Sequence, residues 1–458
     1  MERQVDKLDR TVIDQEYCGR GSEPYDPMLL LKMVLYQYLK GSQSPATWYE
    51  EAKFNEAMQW LGQGYTPARR TWYDFRDRTG NFIEQIHEQI VARAVDQGVD
   101  PTVGVQDGTA VAACASRHRM VNRSTLEKRI EQLGAIQTGE FDEEVPKWVP
   151  RTDSGRQDLA ERMKTASEIL AQRITKNAEK PSDKRKDPEK IRVSVSDPHA
   201  PLGRDKLKVF RPLYTVQYVV ATVSYLIMSY CCEPEVTDAG TLAPMIDKTQ
   251  KAVGGRLKTM MADAAYCSIV DLQECRHRDI ELLAPVQSNA FTVSKAKPNQ
   301  QIPREQFEWD DAEQCYRCPQ GHRLDYCDRT RKQRHSGRQL WEFRYRCDSV
   351  HCGACPLANR CLRPGATRRT IKKLEGQELL DAQRAKMADP ETQKRYRLRG
   401  QTVELAYADS KGNRRLQRFH GRGLARARAE TGLMVVAQNL KRLDRLGRNP
   451  LTNVKIET

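Results

Sequence analysis

Three carboxylates stand in settings where an acidic side chain needs an explanation. Asp107 interrupts the apolar run VGVQDGTAVAA, Asp263 closes LKTMMAD, and Glu404 lies in the helical pattern YRLRGQTVELAYADSK. An unpaired carboxylate in an otherwise buried strand is strongly disfavoured. Phosphodiester transfer without a covalent intermediate uses two divalent ions about 4 Å apart, one at the attacking oxygen and one at the leaving oxygen. Magnesium takes carboxylate oxygens and keeps several waters, so a few acidic side chains suffice. Two carboxylates on strands and one on a helix would supply them, and two ions of Mg2+ or Mn2+ on Asp107, Asp263 and Glu404 are the expectation. Taken singly, each of these is an ordinary member of the 61 acidic residues in the chain. Their joint settings carry the reading. Lys411 follows Glu404 by seven residues, two helical turns along the same face. Arg397 precedes it by the same interval, but Gly400 intervenes, and a helix beginning there breaks that alignment.

Elements able to position these groups are legible around them. VGVQDGTAVAA, LYTVQYVVATV and SYLIMSYCC read as strands, the last two as a hairpin. A helix (DAGTLAPMIDKTQKAV), a strand (LKTMMAD), a short helix (SIVDLQECRHR) and a strand (IELLAPV) follow. The order βββαβαβ is mixed α/β with an antiparallel start. Upstream, Asp26-Pro27, Ser44-Pro45 and Thr66-Pro67 each predict a helix with a capping side chain and proline at its first position. Those helices should end near Gly41, Gly62 and Gly80. The third sets Arg69, Arg70, Arg76 and Arg78 beside Trp72, Tyr73 and Phe75, which suits a helix packed on one side and facing phosphate on the other; the plainer reading is a bundle with a solvated basic face.

The 458 residues exceed one ordinary core. Lysine and arginine outnumber aspartate and glutamate by 76 to 61, a net charge of +15 spread along the chain, and nucleic acid is the leading partner. The start, MERQVDKLDRTVIDQ, has no apolar stretch of a signal or transit peptide. The longest uncharged run, Tyr218 to Cys232, is shorter than the roughly 20 residues of a membrane span. Of the thirteen cysteines, seven fall between 287 and 390, where Cys315 and Cys318 form one C-x-x-C and Cys352 and Cys355 another. Two such turns can grip one tetrahedral zinc, with Cys361 complicating the ligand set. Free buried thiols are the alternative. Such a zinc would be structural, stabilising a segment too small to fold alone. Basic runs at 366–376 and 414–430 read as a DNA channel or as solvated helix faces.

In combination these residues resemble a known family, the DDE transposases of bacterial insertion sequences, in the group whose third acidic residue sits in a Tyr-x-x-Arg…Glu…Lys signature. Here that signature is Tyr396, Arg399, Glu404 and Lys411, with the Arg-to-Glu interval one residue longer than in the best-known members. The resemblance extends to YDPMLLLKMVLYQYLKG…TPARRTWYDFR, to SDPHA at 196–200 and to RFHGRGLARARAETGLMVVAQNL. It implies a ribonuclease H-like mixed sheet flanked by helices, metal binding at Asp107, Asp263 and Glu404, and DNA held by Tyr396, Arg399 and Lys411. It also implies a zinc set of Cys318, Cys352, Cys355 and Cys361, with Cys315 as the substitute.

The expected organisation is α/β. A helical DNA-binding unit at 1–95, using Arg69, Arg70 and Arg76, precedes a core at 96–286 that carries a charged helical insertion at 121–192. A cysteine-rich zinc subdomain spans 287–390, the second part of the core 391–445, and a tail 446–458. The expected function is a DNA transposase acting on its element's inverted repeats and target DNA, bacterial, cytoplasmic and nucleoid-associated, as a homodimer or larger assembly. The alternatives are a catalytically silent transposase-derived regulator and a stand-alone ribonuclease H-like nuclease.

Overall fold

The computed structural model describes residues 2–17, 25–180, 182, 185–205, 207–287, 302–333 and 339–448. Cys18, parts of the linker PSDKRKDPEK, the opening of the cysteine-rich insertion, residues 334–338 of its basic run and the end of the tail lie outside the described residues. The chain forms two compact units. One comprises Met1–Asp238, Met245–Met260 and Leu398–Thr458, the other Ala239–Pro244 and Met261–Arg397.

The first unit opens with the short helices α1 (Glu2–Val5) and α2 (Thr11–Asp14). Helix α3 (Pro27–Leu39) starts as the sequence predicts, with Pro27 in its first turn and the Asp26 side chain accepting from Met28 N. Helix α4 (Pro45–Phe54) also begins on proline, but Ser44 makes no side-chain cap. The run expected to continue to Gly62 divides at Asn55, whose side chain accepts from Ala57 N and Met58 N and starts α5 (Glu56–Leu61). Thr66-Pro67 is not a cap: α6 (Arg69–Thr79) begins after Ala68. With α7 (Ile83–Asp96), these helices bury Tyr38, Trp48, Trp72, Phe75 and Phe82.

Strand β1 (Val103–Ala112) follows, then β2 (Met120–Val121), the hairpin of α8 (Arg123–Thr138) and α9 (Asp153–Ala178), and β3 (Val193–Ser194). This charged insertion is more than a pair of solvated helices. Leu126, Leu133, Leu159, Met163 and Leu170 form a core of its own, and β2 pairs with β3 at its base. Beyond β4 (Leu202–Arg204), β5 (Phe210–Ala221) lies antiparallel to β1 on one side and to β6 (Ile227–Glu233) on the other, with Asp107 opposite Tyr218. Helix α10 (Leu242–Ala252) leads to β7 (Thr259–Met261), which lies on the other side of β1. Expected strands and helices all form here.

In the second unit, α11 (Ile269–His277) starts with a capping box of Ser268 and Asp271. Strand β8 (Glu281–Leu283) accepts at Leu283 O from Ala262 N. The cysteine-rich insertion folds around a sheet ordered β13-β12-β11-β10-β9. Its elements are β9 (Glu308–Asp310), β10 (Cys315–Arg317), β11 (Arg323–Gln333), β12 (Gln339–Cys347), α12 (Ser349–Gly353), α13 (Ala358–Cys361) and β13 (Thr370–Leu374). Trp309, Tyr316 and Tyr345 pack edge to face over it. Helices α14 (Gln377–Ala388) and α15 (Pro390–Tyr396) complete the unit.

The chain re-enters the first unit at α16 (Leu398–Ala408), turns through a π-helical segment at Asp409–Asn413, and ends in α17 (Leu424–Arg448). Helix α17 packs on α3, α7 and β6. Asn439 fastens it to the sheet, exchanging hydrogen bonds with Ile227 N (3.0 Å) and Ile227 O (2.8 Å). His87 donates to the same carbonyl, and burial lowers its pKa to about 4, so it stays neutral. No helix among the described residues is long and apolar enough to cross a membrane.

Candidate active site

Strand alternation sets Asp107, Thr109 and Val111 on one face of β1. Helix α16 packs on β1 and β5, and its first turn brings Arg399 Nη2 to 3.3 Å from Asp107 Oδ2. The other carboxylate oxygen accepts from Gly108 N at 2.8 Å. Both side chains are largely withdrawn from water, at 17% and 24% exposure, so the ion pair is less screened than a surface one. Tyr407, near the end of α16, places its hydroxyl 2.7 Å from Asp107 O and 3.0 Å from Val216 O. Its ring stacks on Tyr218 at 4.6 Å. The helix is thereby pinned to the backbone of the residue whose carboxylate it meets.

Glu404 is exposed on α16. Helix α16 begins at Leu398, so Arg397 precedes it and Gly400 lies within it. Gly400 leaves open the space beside Glu404: a Cβ there would stand 3.8 Å from Oε1. The regular two-turn alignment of Glu404 with Lys411 is not what forms, because Lys411 lies in the π-helical segment. Its ammonium instead reaches β1, donating to Thr109 Oγ1 at 2.6 Å and Ala110 O at 3.1 Å. Arg399 and Lys411 thus meet β1 two residues apart on the strand.

Asp263 and Tyr396 belong to the second unit. Asp263 lies just past β7, half-buried, with Oδ1 accepting from Ala265 N at 2.8 Å to cap a 3-10 turn. The Tyr396 hydroxyl donates to Ala262 O at 3.0 Å, the carbonyl immediately before Asp263.

Five cysteines of this unit divide into two sets. Cys318 starts a tight knuckle in which its N donates to His322 O and its O accepts from Gly321 N. Cys347, Cys352 and Cys361 are buried together with Cys318 packed against them. Burial pushes the Cys347 thiol up to about 12, reinforced by the neighbouring Cys352 and Cys318. Burial likewise raises Cys361, with Arg369 opposing and Cys352, Cys355 and Cys318 adding to it. Cys315 stands elsewhere, with Asp310 and Glu313; their ligand atoms all lie within 4.8 Å of one another. Arg317 already pairs with both of those carboxylates.

Of the N-terminal cations, Arg69 and Arg70 are exposed on α6. Arg76 is folded inward at 9% exposure, paired with Asp77 at 2.8 Å. The run at 414–430 is likewise divided. Arg414 is buried against Asp409, Arg426 and Arg428 pair with Asp77 and Glu233, and Arg415, Arg418 and Arg422 face solvent. Two buried carboxylates that sequence reasoning did not single out hold this loop. Asp197, within SDPHA, takes the Tyr214 hydroxyl at 2.5 Å and Gly423 N at 3.1 Å. Glu430 accepts from His420 N at 2.9 Å and from Gly421 N. The quoted motifs SDPHA and RFHGRG carried that signal, but not which residue clamps which.

Comparison with known families places transposase sequence at both ends of the chain. Residues 1–78 match the family described as Transposase domain (DUF772), and residues 317–444 match Transposase DDE domain. No curated protein matches significantly. The class of protein is therefore a transposase. The two matched domains together support a DDE transposase of insertion sequences.

Proposed function

We propose that the chain cleaves DNA at the inverted repeats ending its element and joins the freed 3′ hydroxyl to target DNA, with Asp107, Asp263 and Glu404 as the essential carboxylates. The observation that carries this reading is the pairing of Asp107 with Arg399, and of Lys411 with Thr109 two residues along the same strand, within a DDE-family chain. In the first unit the strand order β6-β5-β1-β7, antiparallel over its first three strands, supports a ribonuclease H-like core. The donor set is made of carboxylate oxygens, the type a hard divalent cation takes, and at Asp107 such an ion would compete with Arg399. Mg2+ or Mn2+ held there would activate the attacking oxygen and stabilise the leaving one. The chain's own contribution is positional. Arg399 and Lys411 set positive charge along β1 for a phosphodiester, Tyr407 fixes the strand backbone under it, and Tyr396 holds the segment that presents Asp263.

Arg69 and Arg70 are the exposed cations for a DNA-binding role of the N-terminal helices, whereas Arg76 is turned inward and paired with Asp77. Thiol donors at Cys318, Cys352, Cys355 and Cys361 fit a structural zinc. Joining two element ends calls for at least a homodimer. The test uses DNA carrying the element's termini, with Mg2+ and then with chelator. Asp107→Asn, Asp263→Asn and Glu404→Gln should each abolish cleavage while leaving DNA binding within a few-fold of the parent. Cleavage retained by any of the three removes that residue from the site.

A further inference from the structure

We propose that Arg369 is the charge partner of a zinc-bound thiolate cluster in the second unit, and that it holds Cys352 and Cys361 in position for the metal. The inference rests on the zinc reading above and adds a residue outside the cysteine motifs.

Arg369 lies just before β13 and is only 9% exposed. Its polar arms converge on the cysteine segment. The guanidinium donates to Cys361 O at 2.9 Å and to Ile302 O at 2.6 Å, and it covers the Phe307 ring at 5.2 Å. Its backbone N donates to Cys352 Sγ at 3.4 Å, and its backbone O accepts from Cys347 N at 3.1 Å. One residue therefore touches three cysteines, one of them at sulfur.

Charge decides what this arrangement is for. Among the described residues Arg369 has no carboxylate partner, and its Nε is buried without a hydrogen bond. A buried guanidinium lacking a counter-charge is costly. Neutral thiols do not supply one. Four thiolates around Zn2+ leave two excess negative charges, and a buried cation beside the cluster offsets part of them. Groups that orient and balance a metal's ligands in this way typically alter affinity by roughly 10- to 100-fold when removed. The competing explanation is a purely mechanical staple, in which only the carbonyl bonds matter.

Full-length protein is purified, its zinc content measured after reconstitution with Zn2+, and zinc release to a chromogenic chelator followed in the parent, Arg369→Lys and Arg369→Met. The charge role predicts that Arg369→Met releases zinc roughly tenfold or more faster, while Arg369→Lys stays within about threefold of the parent. A parent that takes up no zinc fails the zinc reading itself, and this proposal with it. A zinc-loaded parent whose Arg369→Met variant releases metal at the parental rate overturns the Arg369 role alone. So does an Arg369→Lys variant as leaky as Arg369→Met. If Arg369→Met does not fold, Arg369→Lys decides by the same limits: retention supports the charge role and tenfold loss overturns it.

Discussion

Arg399 holds its Nη2 3.3 Å from Asp107 Oδ2, so a guanidinium from α16 stands where a cation would meet the carboxylate of β1. A divalent ion binding Asp107 must therefore compete with Arg399. Partly exposed pairs of this kind contribute up to about 1 kcal/mol, so Arg399→Gln should tighten Mn2+ binding by roughly two- to fivefold. DNA cleavage should fall in the same variant, because the cation facing the phosphodiester is gone. Calorimetric titration of Mn2+ in the absence of DNA reads the first effect. Weaker binding in Arg399→Gln would mean that the arginine organises the site rather than competing for it.

Lys411 is bonded to the strand from the π-helical segment. Its ammonium bonds Thr109 Oγ1 and Ala110 O, and a double-mutant cycle measures that link directly. Lys411→Met and Thr109→Val should each lower stability, and together by less than the sum, with a coupling on the order of 1 kcal/mol. Denaturant midpoints for the four proteins suffice. Strict additivity would show that the contact carries no energy and that the lysine is free to serve DNA alone.

Much of this was readable beforehand, for identifiable reasons. β1 announces itself by apolar alternation, β5 and β6 by β-branched and aromatic content, and Asp26-Pro27 by capping chemistry that acts within one turn. What escaped depends on contacts distant in sequence. Thr66-Pro67 has the same local form as Asp26-Pro27, yet α6 starts beyond it. Nothing in a regular heptad from Glu404 discloses the π-helical segment that carries Lys411 to β1. Arg76 and Arg69 look alike in the sequence, but Arg76 faces inward because Trp72, Phe75 and Thr79 bury that side of α6. The β-sheet of the cysteine-rich segment was masked by its charge, since Arg317, Arg323 and Arg344 find acidic partners across neighbouring strands and turns.

The α8–α9 hairpin has its own core and is joined to the chain through the β2–β3 pair. Replacing residues 122–192 by a short turn between Val121 and Val193 should therefore leave the rest of the first unit folded. Its thermal midpoint is expected within a few degrees of the parent, because the deleted core is separate from the apolar positions around β1 and β5. Circular dichroism should lose helical signal while the main unfolding transition persists. Collapse of that transition would show that the insertion supports the core.

Glu430 makes a prediction in pH. It is 1% exposed, accepts from His420 N and Gly421 N, and burial raises its pKa to about 7 from an ordinary 4.5, against the opposing pull of those bonds and of Arg76 and Arg426. The folded state then binds more protons than the unfolded chain between those two values, so stability falls as pH rises through that window. The contribution is fully present below about 4.5 and lost above about 7. A shift of this size corresponds to something on the order of 3 kcal/mol. Glu430→Gln cannot ionise and should flatten the dependence: its urea midpoint should change less than the parent's between pH 5 and pH 8. Because Glu430 clamps the loop presenting Arg418 and Arg422, the parent's DNA affinity at constant salt should also decline over that interval more than the variant's. Equal pH slopes in the two proteins would show that Glu430 is not the titrating group.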